Sequence, residues 1–179
     1  MSAEFEARAR ALEAELHDLA AADADLERDA EVAERTRIER AHASLADRVR
    51  GATGRLDVLT RGGSRVGGEV AEVGADWMLL AEPSSAGAEH VVPFAAVVTV
   101  RGLGRASALP ASAVALRSVA SVLRSWCRDR AQVRLVLADG ASMVGRADAA
   151  YADHLDVVGL DGDPVSVPYT ALAIITRSG

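Results

Sequence analysis

Four histidines, one cysteine and scattered carboxylates are the groups in this 179-residue chain that could do acid–base, nucleophilic or metal chemistry. His17, His42, His90 and His154 stand far apart, and none belongs to a His-x-x-His or His-Glu-x-x-His pair. No two of them therefore have the spacing that puts zinc ligands on one helix face. The densest constellation is Asp153-His154-Leu155-Asp156. Strand alternation sends Asp153 and His154 to opposite faces, so the run reads as solvated turn residues. Asp161-Gly162-Asp163 has a calcium loop's opening without its remaining ligands. Cys127 falls on the apolar side of a helical pattern with no histidine near it, which reads as a buried structural thiol. A lone cysteine also excludes an intramolecular disulfide framework and every Cys-based metal knuckle. There is no P-loop, and Gly102-x-Gly104 lacks the third glycine of a dinucleotide fingerprint. The expectation is no catalytic set, no cofactor, no metal and no small-molecule substrate.

Charge offers a second kind of chemistry. All 20 basic residues are Arg, against 26 acids, for a net charge of −6. Guanidinium clusters neutralise phosphates, and two groups could do so. Arg55, Arg61 and Arg65 surround a first hairpin, and Arg124, Arg128, Arg130 and Arg134 follow one another at near-helical spacing. Opposing them, Asp139, Asp153, Asp156, Asp161 and Asp163 crowd the later turns and would repel phosphate. RNA or DNA binding through Arg61, Arg65, Arg124, Arg128, Arg130 and Arg134 is thus the alternative function and not the favoured one.

These residues must be positioned by a chain that changes character at residue 51. The first fifty residues hold no Gly or Pro, 14 Ala, 13 acids and 8 Arg, so most of the net charge lies there. Such a composition predicts a helix over 1–50. Phe5, Leu12, Leu19, Leu26 and Ala33 recur every seven residues, with Ala9, Leu16 and Ala30 interleaved, which is a coiled-coil seam. Ile38, Leu45 and Val49 continue on a shifted phase, predicting a slip between Ala33 and Ile38. At ~1.5 Å per residue the helix would reach ~70 Å. It would then pair with a partner or a second copy through Phe5, Leu12, Leu16, Leu19 and Leu26, fold back near Ala20–Asp25, or lie along the rest of the chain. The N-terminus is acidic without an apolar run, and no segment approaches the ~18–20 apolar residues of a membrane span. A cytoplasmic protein is expected.

The remainder contains a repeat. Leu56-Asp57-Val58-Leu59 matches Val133-Arg134-Leu135-Val136, and at the same offset Gly63 meets Gly140, Gly68 meets Gly145 and Asp76 meets Asp153. After a shorter loop, Val92-Pro93-Phe94 meets Val167-Pro168-Tyr169. Period-two alternation predicts five strands per copy: 55–60, 65–73, 77–81, 91–92 and 97–101, then 132–138, 142–150, 154–158, 165–167 and 172–177. Gly67, Gly68 and Gly145 inside strands predict bulges or sharp bends. Between the copies, Leu116, Val119, Ala120, Leu123 and Cys127 have helical spacing behind Pro110. The expected organisation is a helix over 1–50, a small β-barrel over 51–105, a linker helix over 106–130 and a second barrel over 131–179. The fold class is α+β.

Asp139-Gly140, Gly145 and Asp153-His154-Leu155-Asp156, behind a helix and among five bent strands, resemble the first sequence motif of Sm-like proteins. Gly63, Gly68 and Asp76-Trp77 repeat it more weakly, and the eight-residue step from Gly145 to Asp153 is longer than that family's usual spacing. A tandem pair of such SH3-like barrels behind a coiled-coil helix looks like proteins of high-GC bacteria. The resemblance implies rings and RNA contacts at the turn between the fourth and fifth strands. Here those turns, Pro93-Phe94-Ala95-Ala96 and Pro168-Tyr169-Thr170-Ala171, carry no basic residue, and Phe94 and Tyr169 read as plugs of their own units. The expected function is a non-catalytic interaction or scaffold protein that self-associates or holds a protein partner. Three chains would make a six-unit ring.

Overall fold

The computed structural model describes residues 28, 31, 34, 37, 41–82, 87–104, 108 and 117–177. The chain falls into two units, Met1–Ala43 and Ser44–Gly179. In the first, Arg28, Glu31, Glu34, Arg37, Ala41 and His42 are helical and exposed, and Arg37 pairs with Glu34 at 3.3 Å. Phe5, Leu12, Leu16, Leu19 and Leu26, with most of the expected seam, lie outside the described residues.

A single helix over 1–50 does not form, because the chain leaves the helical state at Ala43 and Ser44. Ser44 is extended (φ −72°, ψ 166°) and starts a separate six-residue helix, α1 (Leu45–Arg50). Its Oγ accepts the Asp47 N–H at 3.1 Å, and the Asp47 carboxylate accepts the Ser44 N–H at 3.0 Å. Reciprocal capping of this kind satisfies the free N–H groups of a helix start, which a continuous helix would not have. The Ser44 hydroxyl, donating to the Asp47 carboxylate at 2.6 Å, and the Ser44 N–H together hold the Asp47 carboxyl below its ordinary range.

Ten strands follow: β1 (Arg55–Thr60), β2 (Arg65–Val73), β3 (Trp77–Glu82), β4 (Ala88–Pro93), β5 (Val97–Arg101), β6 (Gln132–Leu137), β7 (Ser142–Ala150), β8 (His154–Gly159), β9 (Pro164–Pro168) and β10 (Leu172–Arg177). A second helix, α2 (Val119–Arg128), precedes β6. The strands lie where alternation places them, but their assembly corrects the expected fold class. In place of a long helix and two separate barrels there is one antiparallel ten-stranded open sheet, ordered β5-β1-β2-β3-β4-β10-β6-β7-β8-β9. Among the described residues of Ser44–Gly179, two short α-helices accompany it.

The joint is β4 against β10, with Val91 opposite Ile175, His90 opposite Thr176 and Glu89 opposite Arg177. Val91 and Ile175 are fully buried there. An apolar edge left unpaired exposes both its side chains and a row of backbone donors and acceptors, so joining the two edges removes both penalties.

The core straddles this joint. Trp77, Leu79 and Val91 pack in one cluster with Val122, Leu123 and Trp126 of α2 and with Val133, Leu135, Leu155 and Val157. A second cluster gathers Val49 of α1 with Leu56, Val58, Met78, Leu80 and Val92. Two strand glycines are required by close approach. A Cβ on Gly68 would sit 2.6 Å from the Ala81 carbonyl, and one on Gly145 would sit 2.5 Å from that of Val158. The register irregularities, however, fall just beyond them, between Val70 and Glu72 and between Ala147 and Ala149.

The start of α2 is held from a distance. Ser118 occupies the N-cap position without a side-chain cap bond, and instead Asp76 Oδ1 accepts the Val119 N–H at 2.9 Å. Asp76→Ala should therefore cost about 1 kcal/mol of stability, the usual worth of an N-cap acceptor, while Ser118→Ala should be nearly neutral. Chemical denaturation of the two variants checks this; equal losses would contradict the assignment.

Candidate functional site

A cleft of about 570 Å³ with convergent charge is lined chiefly by β1, β2 and β5. Leu56 and Val58 point into the core, so Arg55, Asp57 and Leu59 of β1 face the other way. Register extends that face across three strands. Asp57 lies between Gly67 of β2 and Arg101 of β5, and Leu59 lies between Arg65 and Thr99. Glu82 and His90 complete the lining.

The charges are unevenly paired. Arg55 lies 3.6 Å from Asp57 and 3.5 Å from Glu82. Its guanidinium rests over Gly67, where a Cβ would come within 2.5 Å of Nη2. Arg65 and Arg101, by contrast, have no carboxylate within 4.0 Å among the described residues. His90 is buried, with Nδ1 3.0 Å from Thr176 Oγ1. Its buried Nε2 has no hydrogen-bond partner, Glu82 Oε2 standing 3.9 Å away. Burial pushes the imidazole pKa down and outweighs the pull of Glu82.

The other singled-out residues are dispersed. Arg124 and Arg128 are exposed on α2, with Arg124 Nε donating to the Ala150 carbonyl at 3.3 Å. Arg130 takes a left-handed conformation (φ 51°) that closes α2. Its N–H reaches the Cys127 carbonyl and that of Ala131 the Trp126 carbonyl, each at 3.0 Å. Arg134 sits between Val133 and Leu135, which pack under α2, so its side chain leaves from the opposite sheet face. Arg61 lies in the first hairpin turn.

Asp153, His154 and Asp156 do come together. His154 Nδ1 is 2.7 Å from Asp153 and Nε2 is 3.9 Å from Asp156, with Tyr151 stacked on the ring at 4.5 Å. The cluster lies on the protein surface, and the bond from His154 holds Asp153 below the ordinary carboxylate range. Cys127 is half-buried, and burial pushes its thiol pKa up. Phe94 packs against the α1-side cluster. Tyr169 donates its hydroxyl to the Tyr151 carbonyl at 2.8 Å, and burial raises its pKa to about 12.

Among the described residues no three His, Cys, Asp or Glu side chains are grouped to hold a metal, and no helix is long and apolar enough to cross a membrane. No protein-family model matches the chain, and no curated protein matches it. Sequence reasoning found Arg65 and the first-hairpin arginines but missed Arg101 and His90 as their neighbours. The signal that would have found them is register, since both depend on which strands pair with β1 and β4.

Two outcomes follow from this geometry. An unfolded histidine titrates near ~6.5, and folded His90 titrates lower. Below that pH the unfolded chain binds the extra proton, so stability falls as pH drops through the window below ~6.5. The melting temperature of the wild type should decline more between pH 7 and pH 5.5 than that of His90→Gln; parallel declines would contradict it. At the end of α2, Arg130→Gly should stabilise the protein by roughly 0.5–1 kcal/mol in denaturant titration, because glycine adopts the left-handed conformation without a Cβ penalty.

Proposed function

We propose that this protein is a non-catalytic interaction module whose copies join end to end through the two free edges of the sheet. The observation that carries the reading is the β4–β10 joint, together with the strand order on either side of it. Each half runs in one sequence, β5-β1-β2-β3-β4 and then β10-β6-β7-β8-β9. β10 therefore corresponds to β5 and β4 to β9. The chain already pairs one such edge with the other, and leaves the complementary two, β5 and β9, at its ends.

Exposure supports the same reading. On β10, Ala173 is fully buried and Ile174 is 3% exposed, while Val98, which corresponds to Ala173, is 56% exposed on β5. On β4, His90 is 9% exposed, while its β9 counterpart Val165 is 43% exposed. Open edges with apolar positions are templates for strand addition. A copy that pairs its β9 with the next copy's β5 makes a heterologous contact, which closes into a ring when the rotation permits. Three chains would give six five-stranded units, the assembly that the resemblance to Sm-like proteins implies. The heptad residues Phe5, Leu12, Leu16, Leu19 and Leu26 supply a separate association element on the sequence reading alone.

Multi-angle light scattering tests the proposal. The wild type should show a multiple of the 18.6 kDa chain mass, and Val98→Lys with Val165→Lys should reduce it to the monomer. A monomeric wild type overturns self-association. An oligomer that survives the lysines but dissolves on deletion of residues 1–43 overturns the edge assignment in favour of the N-terminal segment.

A further inference from the structure

We propose that the cleft across β1, β2 and β5 binds a small phosphate-bearing anion, with Arg65 and Arg101 as its principal guanidinium contacts and Arg55 as a third. Register sets the geometry. Arg101 stands opposite Asp57 and Arg65 opposite Leu59, so the two arginines approach one face of β1 from its two sides. Arg55 rises from that same face. All three line a cleft of about 570 Å³, inside the ~300–1,000 Å³ range of small-molecule sites.

The charge state fits an anion. Three guanidiniums confront two carboxylates, Asp57 and Glu82, and both carboxylates lie against Arg55. Arg55 is thereby the nearest guanidinium to both acids. Arg65 and Arg101 keep their donors free of carboxylate partners among the described residues, which suits bidentate recognition of phosphate oxygens. The missing side chain of Gly67 leaves the room in which the Arg55 guanidinium and the Asp57 carboxylate lie on the cleft floor. Buried His90 lines the cleft with an Nε2 that has no hydrogen-bond partner.

The lining also limits the ligand. Its apolar members are Val58, Leu59 and Val66, with no aromatic ring on which a base could stack. A compact, multiply charged phosphate is favoured over a nucleic-acid strand.

Isothermal titration calorimetry of the full chain with inorganic pyrophosphate tests this. Saturable binding with one site per chain is expected. Arg65→Gln with Arg101→Gln should weaken it by roughly tenfold or more, as expected for loss of two charge-assisted contacts. Arg124→Gln with Arg128→Gln changes net charge equally on α2 and should leave binding within about twofold, because surface charge alone is screened. All four arginines are exposed, so circular dichroism should show both variants folded. No saturable binding, or equal weakening in both variants, overturns the site. An oligoribonucleotide that binds through Arg65 and Arg101 more tightly than pyrophosphate overturns the small-anion assignment. Calorimetry on Val98→Lys with Val165→Lys, which leaves all the cleft residues in place, should still show saturable binding, so failure of one proposal is distinguishable from failure of the other.

Discussion

The pairing of β4 with β10 is the contact on which the sheet depends. It joins halves that are distant in sequence, and the side chains around it are tied in several ways. Arg177 reaches the Glu89 carboxylate at 2.6 Å and Asp129 at 3.2 Å, and its guanidinium lies 5.1 Å from the Trp126 ring centre. Trp77 Nε1 donates to the Arg117 carbonyl at 2.9 Å, and the Arg117 side chain pairs with Glu72. Apolar burial is the larger contribution. Fully burying a Val, Leu or Ile side chain stabilises by ~1.5–3 kcal/mol, and Val91, Leu135, Leu155 and Ile175 are all fully buried around this joint. A partly exposed ion pair contributes ~1 kcal/mol or less. The polar contacts orient the halves, while the apolar ones hold them.

The free edges differ from the joint in a way that matters for association. Where β4 offers Val91, β9 offers Ser166, flanked by Pro164 and Pro168. Where β10 offers Ile174 and Ile175, β5 offers Thr99 and Val100. Proline removes backbone donors and blunts an edge, and serine and threonine bury little apolar area. A contact between copies would therefore gain less than the internal joint and would depend on concentration. Such a contact would open and close with concentration, whereas the internal joint is part of the folded core.

What was legible in the sequence was local. The strands could be read because period-two alternation and the glycines at 68 and 145 are local signals. Even the capping box could have been read, since Ser44 and Asp47 stand three apart, but the surrounding Ala- and Arg-rich run masked it. What could not be read was which strand ends meet. Whether β4 pairs with β10 or remains an edge is decided by long-range packing of Trp77, Val91 and α2, and no local pattern carries it. The cleft was hidden for the same reason. Arg65 and Arg101 are 36 residues apart, and only the pairing of β1 with both β2 and β5 makes them neighbours. Asp76, which read as the repeat partner of Asp153, proved to cap a helix that begins at Val119.

Strand β5 carries both proposed uses, and they do not compete. Strand addition takes the N–H and C=O groups that point outward in the plane of the sheet, whereas the cleft uses side chains standing perpendicular to it. In the internal joint, Thr176 lies opposite His90. Arg101 corresponds to Thr176 and Val165 to His90, so a docking copy would place Val165 opposite Arg101. That would add a wall beside the guanidinium and exclude water from one side of the cleft. Lower local dielectric strengthens a guanidinium–phosphate contact, and a bound phosphate would in turn neutralise Arg101 at the edge. Assembly and anion binding would then favour one another by the reciprocity of linked equilibria, through contacts at a single strand.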